Sequence, residues 1–146
     1  MRVLVTGSNG FIGKNLVVHL NELKGYSVET FSRENTIGEL PELVERADFI
    51  IHLAGENRAE DASEFRINNA ELTQSICDEI RSLSRKIPII FASSVQAEYA
   101  NPYGESKRNA EVALEKLAIE TKNPVFIYRL PGVFGKWSKP NYNSVV

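Results

Sequence analysis

The stretch TGSNGFIGKNL, Thr6–Leu16, places three glycines at three-residue intervals between an apolar run and the first turns of a predicted helix. Glycine inside regular structure costs about 0.5–1 kcal/mol relative to alanine, so three together indicate a special backbone requirement. We expect Gly7 to make the turn out of the first strand, Gly10 to let backbone approach a phosphate, and Gly13 to let the helix pack closely on the sheet. The stretch predicts a dinucleotide pyrophosphate site at a helix N-terminus, and the alternative is a glycine-rich turn without a ligand.

Short apolar runs alternate along the chain with segments whose apolar residues repeat at helical spacing. Such alternation predicts right-handed βαβ crossovers and a parallel sheet with helices on both faces. We therefore predict an α/β fold, a doubly wound Rossmann-type parallel sheet of about five strands that lacks the far edge of the usual sheet. The binding crevice of that fold lies between its first and fourth strands. The predicted strands are Arg2–Val5, Tyr26–Phe31, Asp48–Leu53, Pro88–Ala92 and Val125–Leu130, and the predicted helices lie near 11–23, 40–46, 72–83 and 102–117.

Composition narrows the class of protein. The 146 residues, 42% of them hydrophobic, suffice for one domain with its own core. A net charge of -2 offers no basic field for nucleic acid, and no apolar run approaches the roughly 18–20 residues that cross a bilayer. The single cysteine, Cys77, forms no intrachain disulfide and is expected to be a small core residue. We expect a cytoplasmic domain spanning 1–146 with no metal site and no nucleic-acid or membrane partner, and we leave homo-oligomerisation open.

A second motif lies in FASSVQAEYANPYGESK, Phe91–Lys107. Tyr103 and Lys107 are four residues apart and share one face of the predicted helix, while Ser93 and Ser94 end the strand before it. A carbonyl that receives hydride also needs a proton, which a phenol donates well if a nearby ammonium lowers its pKa. A serine hydroxyl can hydrogen-bond the same carbonyl oxygen. The motif therefore predicts a hydride-transfer site.

With the G-x-x-G-x-x-G loop and Y-x-x-x-K after a strand-ending Ser-Ser pair, the chain resembles the extended short-chain dehydrogenase/reductase family. Its members include epimerases, dehydratases and reductases of nucleotide sugars. The resemblance implies that Ser94 orients the keto oxygen, that Tyr103 is the general acid, and that Lys107 tunes Tyr103 and binds the nicotinamide ribose. Only nine positions separate Ser94 from Tyr103, fewer than in many members. The implied cofactor-binding residues are Gly7, Asn9, Gly10, Phe11, Ile12, Gly13, Leu53, Ala54, Gly55, Tyr103, Lys107 and Leu130.

The segment DFIIHLAG, Asp48–Gly55, is similar to the family's third strand. The resemblance implies that Asp48 meets the adenine ring and that Asn69 supports the active site, with Asn68 as the rival if the register differs by one. His52 is flanked by apolar residues, so we interpret it as a hydrogen-bonded core histidine rather than a base or metal ligand.

The residues after the second predicted strand bear on the choice between nicotinamide cofactors. An NAD enzyme usually places an acid there for the ribose 2′-hydroxyl, whereas a 2′-phosphate prefers an arginine without an opposing carboxylate. Arg33 therefore favours NADP(H). Glu34 follows at once and Arg33 is equally interpretable as an exposed loop charge, so NAD(H) stays the alternative.

The chain also resembles one subgroup of the family in IHLAGENR, SSVQAE, NPYGESK, YRLPGVFGKW and KPNYNSVV. That subgroup comprises bifunctional enzymes of capsular-polysaccharide synthesis that use NADPH to reduce a UDP-linked 4-keto-6-deoxy-N-acetylhexosamine. In it the reductase domain continues further and a zinc-binding cupin domain follows, so we expect this chain to be an incomplete Rossmann part without the substrate lobe. The alternatives are an NAD-dependent nucleotide-sugar epimerase or 4,6-dehydratase, and a non-catalytic NADP(H)-binding fragment.

The last 25 residues carry four basic side chains and no acid. This surplus suits a diphosphate-sugar substrate, and ordinary fluctuation in a short window explains it about as well. The basic residues are Lys122, Arg129, Lys136 and Lys139, and the candidate substrate-binding residues are Lys136, Trp137, Lys139 and Tyr142, with Asn141 beside them.

Overall fold

The computed structural model describes residues 1–56 and 66–138, with 66–68 described by backbone alone. Within that part of the chain, five parallel strands form one sheet and four α-helices cover it, which confirms the predicted fold class. Short 3-10 segments at Ile37–Glu39 and Val95–Glu98 and a π-helical segment at Arg66–Glu71 complete the elements. In chain order the elements are β1 (Arg2–Thr6), α1 (Phe11–Glu22), β2 (Ser27–Phe31), α2 (Leu40–Arg46), β3 (Phe49–His52), α3 (Leu72–Ser82), β4 (Ile89–Ser94), α4 (Pro102–Thr121) and β5 (Val125–Leu130).

The order of the strands is β2-β1-β3-β4-β5, with every adjacent pair parallel. Thr6, at the end of β1, lies in register with Phe31 on one side and His52 on the other. The strand order reverses between β1 and β3, because the crossover through α2 returns directly to the free side of β1. The crevice therefore lies between the first and third strands, and its expected position between the first and fourth is wrong for this chain.

Two hydrophobic clusters hold the layers together. On one face α2, α3 and α4 pack against Leu4, Ile50 and Phe91, all nearly inaccessible to solvent. On the other face of the sheet α1 packs against Val3 and Val5, the neighbours of Leu4 in β1. A β1 strand that is buried on both sides is what a parallel sheet with helices on two faces requires.

The helix that carries the Tyr-x-x-x-Lys motif begins where its sequence predicts. The side chain of Asn101 accepts a 2.8 Å hydrogen bond from the backbone N–H of Gly104, and Pro102 occupies the first turn, where its missing N–H leaves no gap in the hydrogen bonding. Gly104 packs so tightly that a Cβ there would overlap the carbonyl oxygen of Gln96 in the Val95–Glu98 segment. The start of α4 is thereby held against the end of β4.

Candidate active site

The glycine loop follows β1 and turns sharply into α1. Gly7 has φ +70°, and its N–H donates a 2.7 Å hydrogen bond to the carbonyl oxygen of Phe31. A Cβ on Gly7 would lie 2.6 Å from the backbone nitrogen of Ala54, so the loop passes directly against the chain that leaves β3. A Cβ on Gly13 would overlap the carbonyl oxygen of Gly7. The structure thus gives Gly7 and Gly13 the turn and the close packing that their spacing predicts.

A cavity of about 900 Å³ opens at the carboxyl ends of β1, β2 and β3, beside the N-terminus of α1. Its size falls within the range of nucleotide and cofactor sites. The first turn of α1 carries no acidic side chain, so its unpaired N–H groups and partial positive charge favour an anion. The donor set therefore fits the pyrophosphate of a dinucleotide. Nine of the predicted site residues line this cavity: Gly7, Asn9, Gly10, Phe11, Arg33, Leu53, Ala54, Gly55 and Trp137.

Much of the remaining lining comes from residues that no sequence motif singles out. Ile37 enters from the 3-10 segment before α2, and Leu72 and Ser75 enter from α3. Glycine spacing identifies a phosphate loop through its backbone, but the walls of the cavity come from side chains on separate elements. No local pattern marks those positions. The further lining residues are Lys14, Phe31, Ser32, Glu34, Asn35, Glu56 and Glu71.

Asp48 lies just before the amino end of β3, whereas the cavity lies at the carboxyl ends of the strands. Its carboxylate accepts a 2.7 Å hydrogen bond from the backbone N–H of Arg2, which together with a smaller effect of nearby positive charge lowers the pKa of Asp48. From Asp48 to His52 the strand advances four residues, roughly 13 Å at about 3.3 Å each. The predicted contact of Asp48 with an adenine ring is therefore contradicted, because that ring would bind at the carboxyl edge.

Other predicted residues lie near the site without lining the cavity. Ile12 is within the first turn of α1, and Leu130 ends β5 in register with Ser94. Lys136 stacks its ammonium 4.5 Å from the ring centroid of Trp137. Lys139 and Tyr142 lie outside the described residues, as does Asn141.

Arg33 extends along the mouth of the cavity just after β2. Its guanidinium pairs with the carboxylate of Glu56, which follows Gly55 on the neighbouring strand connection. Arg33 is 78% exposed at its side chain and Glu56 only 13%. A carboxylate therefore already opposes the arginine that favours NADP(H) in the sequence.

Ser94, Tyr103 and Lys107 come together at the end of β4 and the start of α4. Tyr103 hydrogen-bonds Ser94, and Lys107 lies one helical turn further along the same face. The Lys107 ammonium donates a 2.9 Å hydrogen bond to the carbonyl oxygen of Ala92 and lies 4.8 Å from the ring centroid of Phe91. The short connection between Ser94 and Tyr103 is therefore long enough to assemble the three side chains.

Gly55 connects these three side chains to the cavity. It lines the cavity, and a Cβ on it would lie 3.0 Å from Nζ of Lys107 and 2.8 Å from Oδ1 of Asn69. Glycine is needed here for close approach alone. Any side chain would push Asn69 and Lys107 away from the cavity wall.

Burial alters the pKa values of this cluster. Burial raises the pKa of Tyr103, and the hydrogen bond with Ser94 opposes that change without cancelling it. Burial lowers the pKa of Lys107 to about 8, with the carboxylate of Glu111 acting in the other direction. The net pKa of Tyr103 is therefore raised, and the tuning of Tyr103 by Lys107 with a bound cofactor stays a prediction. A phenol of raised pKa keeps its proton at neutral pH, which is the form that a proton donor requires.

Asn69 lies in the π-helical segment and is almost completely buried. Its Oδ1 accepts a 2.8 Å hydrogen bond from the N–H of Glu56, and its Nδ2 donates to the Glu56 carbonyl oxygen and to Oγ of Ser106. It therefore ties the connection after β3 to α4, beside Lys107. The side chain of Asn68 is outside the described side chains.

His52 is fully buried and lies in a directed chain of hydrogen bonds. The Thr73 hydroxyl donates to the carbonyl oxygen of Asn69 at 2.6 Å, so it must accept from Nε2–H of His52 at 2.8 Å. Nδ1 of His52 then accepts from the Thr6 hydroxyl at 2.6 Å, and that hydroxyl accepts from the N–H of Ala54. The imidazole is neutral, since burial and the charge of Lys107 lower the pKa of His52 to about 3. His52 is the hydrogen-bonded core histidine expected from its apolar neighbours.

Glu111 and Arg129 are polar residues beside the candidate site. The sequence motifs did not identify Glu111, and the role predicted for Arg129 differs from the one in the structure. Glu111 is buried on α4 and carries bonds from Ser93 and Arg129. Arg129 is therefore paired, and the interpretation of its charge as available to a diphosphate-sugar is wrong. Lys122 caps the far end of α4, at the amino edge of the sheet, so it also lies away from the site. The four-residue spacing from Tyr103 through Lys107 to Glu111 places all three on one face of α4, and this spacing could have identified Glu111 from the sequence.

These features together define a dinucleotide-binding α/β domain with a Ser-Tyr-Lys cluster, and the chain belongs to the NAD dependent epimerase/dehydratase family, whose model matches residues 3–146. A curated relative from Pseudomonas aeruginosa, UDP-2-acetamido-2,6-beta-L-arabino-hexul-4-ose reductase, is 56% identical over all 146 residues and 39% of its own length. The resemblance to the extended short-chain dehydrogenase/reductase family is thereby confirmed.

Solved structures show the same relationship. The capsular polysaccharide assembling protein CapF of Staphylococcus aureus superposes with a TM-score of 0.85 at 43% identity, covering 99% of this chain and 39% of that one. The UDP-glucuronic acid 4-epimerase of Bacillus cereus, solved with NAD, has a TM-score of 0.84 over 97% of this chain and 60% of its own, and at 21% identity it shows the fold alone. The chain thus spans about two fifths of the length of its curated relative and of CapF.

The described residues contain neither a candidate membrane-spanning helix nor a candidate metal site. None of the helices in 1–56 and 66–138 is long and apolar enough to cross a membrane. Within the same ranges, no three His, Cys, Asp or Glu side chains gather where they could hold a metal ion.

Proposed function

We propose that this chain forms the cofactor-binding part of an enzyme that uses NADPH to reduce a nucleotide-linked 4-keto-6-deoxy sugar, with an N-acetylamino group, during capsular or surface polysaccharide precursor synthesis. The observation that carries the proposal is the cluster of Ser94, Tyr103 and Lys107, which Gly55 separates from the cavity beside the N-terminus of α1. The 56% identity to a UDP-sugar reductase supports the substrate class.

The cofactor would be held by the backbone of the glycine loop and the N-terminus of α1, with Leu53, Ala54 and Gly55 along the nicotinamide side. When bound, it supplies the hydride that reduces the carbonyl carbon. Arg33 would meet the adenosine ribose, since it stands at the end of β2. Hydride addition also builds negative charge on the keto oxygen of the sugar, and that oxygen needs a proton.

The protein residues manage that oxygen. The Ser94 hydroxyl donates a hydrogen bond to the keto oxygen, and Tyr103 transfers its phenolic proton to the same oxygen as hydride reaches the carbon. The product is the alcohol, and a phenolate is left on Tyr103. The Lys107 ammonium, oriented by the carbonyl oxygen of Ala92, stabilises that phenolate until a solvent proton replaces the one transferred.

A second candidate rests on the ion pair of Arg33. Because Glu56 already opposes Arg33, the structure also suits an NAD-dependent epimerase or 4,6-dehydratase, which returns the hydride to the same substrate. A reductase consumes one NADPH per sugar, whereas these enzymes show no net consumption. The stoichiometry of cofactor use therefore separates the two candidates.

The test uses the complete natural protein. We expect stoichiometric loss of NADPH absorbance with a UDP-4-keto-6-deoxy-N-acetylhexosamine, and a lower rate with NADH. Fluorescence titration of the 146-residue chain with NADPH and NADH measures binding separately from turnover. No oxidation of either cofactor, together with interconversion of UDP-sugars, would contradict the proposal in favour of the second candidate.

A further inference from the structure

The buried carboxylate of Glu111 lies on the same face of α4 as Tyr103 and Lys107, eight and four residues after them. It is 1% exposed, and both its oxygens are saturated. Oε1 accepts from Oγ of Ser93 at 2.6 Å and from Nε of Arg129 at 2.9 Å, and Oε2 accepts from Nη2 of Arg129 at 2.7 Å and from Nη1 of Arg108 at 2.9 Å. Four hydrogen bonds are the full capacity of a carboxylate.

Arg129 extends this arrangement to the residues that follow the strand. Its third nitrogen, Nη1, donates a 2.7 Å hydrogen bond to Oε1 of Glu98, the last residue of the Val95–Glu98 segment. The chain from Ser93 to Glu98 is therefore fixed at both ends, by Glu111 at the first residue and by Arg129 at the last. Ser94 lies inside that fixed stretch.

We propose that Glu111 and Arg129 form a positioning pair that sets Ser94 against Tyr103 and Lys107 for proton transfer. The proposal rests on the proposed function, because it assigns the pair a role in that reaction. Glu111 does not touch the cavity and acts through Ser93 and the α4 backbone. Three elements, β4, β5 and α4, meet at its carboxylate, and the three side chains of the site come from two of these elements.

A second effect of Glu111 is electrostatic and reaches Lys107 one turn away. The groups that face Lys107 in the described part of the chain are Tyr103 and Glu111 on α4, His52 on β3, and the uncharged Phe91, Ala92 and Asn69. Burial works against the Lys107 ammonium, and Glu111 is the carboxylate that offsets it. Loss of that charge leaves Lys107 easier to deprotonate.

The test compares Glu111→Gln with Glu115→Gln in the complete natural protein. Glu115 lies one turn further along α4 and bonds Arg108 at 3.1 Å, so its loss removes a helix carboxylate without touching Ser93 or Arg129. For Glu111→Gln we expect kcat to fall about 10²-fold while KM changes by less than about threefold. The basic limb of its kcat–pH profile should move down by about one pH unit. Glu115→Gln should keep both the rate and the profile.

Two milder variants keep the test decisive if Glu111→Gln does not fold. Arg129→Lys keeps the charge but not the two parallel bonds to the carboxylate, and Ser93→Ala removes only the hydroxyl. We expect both to lower kcat without moving the pH limb, since the charge of Glu111 remains. Variants that lose thermal stability but keep kcat and the pH profile would overturn the proposal and leave the pair a purely structural one.

A measurement without substrate separates this proposal from the proposed function. NMR titration of the Lys107 side chain in the natural protein and in Glu111→Gln reports the Lys107 pKa directly. If the natural protein turns over no 4-keto sugar, the proposed function fails, and an unchanged Lys107 titration would independently overturn the electrostatic role of Glu111. A lowered Lys107 pKa in Glu111→Gln, with Glu115→Gln unchanged, supports it.

Discussion

The glycine loop and the polar cluster behind Ser94, formed by Ser93, Glu111 and Arg129, are two halves of the candidate site. They are built by opposite means. The loop is predicted to bind through backbone, and its three glycines lie within seven consecutive residues, from Gly7 to Gly13. The cluster works through side chains from β4, α4 and β5, with Glu111 and Arg129 separated by 18 residues. A motif identifies the first kind of structure, whereas the second exists only after the chain has folded.

The largest effect is expected from the reacting side chain itself. Tyr103→Phe removes the proton donor and keeps the ring, so we expect kcat to fall about 10²–10⁴-fold with the Kd for NADPH nearly unchanged. Tyr99→Phe is the matched control, because Tyr99 is an exposed phenol just upstream. Steady-state kinetics of the complete natural protein measure both. Full activity in Tyr103→Phe would remove this residue from the reaction and would leave the cluster a structural feature.

The loop half is tested at Gly7. Gly7→Ala combines positive φ with collision against Ala54 and Leu53 backbone, so we expect a loss of several kcal/mol in the free energy of unfolding and loss of cofactor binding. Gly25→Ala provides the control, since Gly25 has φ +90° with nothing within 4 Å of a Cβ. It should cost only about 1–2 kcal/mol. Equal urea-unfolding energies for the two variants would show that close approach contributes nothing at Gly7.

The same contrast explains which features of the molecule can be predicted from its sequence. Gly7 and Gly13 were placed correctly because a backbone requirement leaves a local mark. Asp48 was misplaced because its strand residues show burial but not which end faces the cavity, and the carboxylate instead serves the Arg2 N–H. Arg129 was misassigned because its partner Glu111 belongs to another element, and charge counted along the chain says nothing about pairing in space.

The hydrogen-bond chain through His52 runs from Thr6, just before the glycine loop, to the carbonyl oxygen of Asn69, and acid should break it. The folded pKa of His52, about 3, lies below its usual 6.5, so the unfolded state binds the proton more readily and stability falls as pH drops below 6.5. Between pH 6.5 and 5 the expected loss is about 1.6 kcal/mol. Glu111, whose pKa is lowered to about 2 by bonds that overcome its burial, adds to the loss only below its usual 4.5.

Urea unfolding of the 146-residue chain at pH 6.5 and at pH 5 measures that loss. His52→Gln should be less stable at pH 6.5 but lose much less between the two values. His19→Gln, on α1, should keep the full pH dependence. A His52→Gln variant with the same pH dependence as the natural chain would show that the titration belongs elsewhere.

The smallest effect concerns the choice between NADPH and NADH. This choice is expected to depend on the ion pair of Arg33 with Glu56, beside the glycine loop. If Arg33 binds a 2′-phosphate, Arg33→Ala should raise the Kd for NADPH about tenfold and leave the Kd for NADH within about twofold. Glu56→Gln releases Arg33 from its partner, so it should tighten NADPH binding by a few-fold, an effect that higher salt weakens since Arg33 is largely exposed. Fluorescence titrations with both cofactors measure these values, with Lys24→Ala as the control for loss of a distant basic charge. If Glu56→Gln instead weakens NADH and leaves NADPH unchanged, Glu56 serves the ribose hydroxyls, and the carboxylate that follows β3, rather than the arginine that follows β2, determines which cofactor binds.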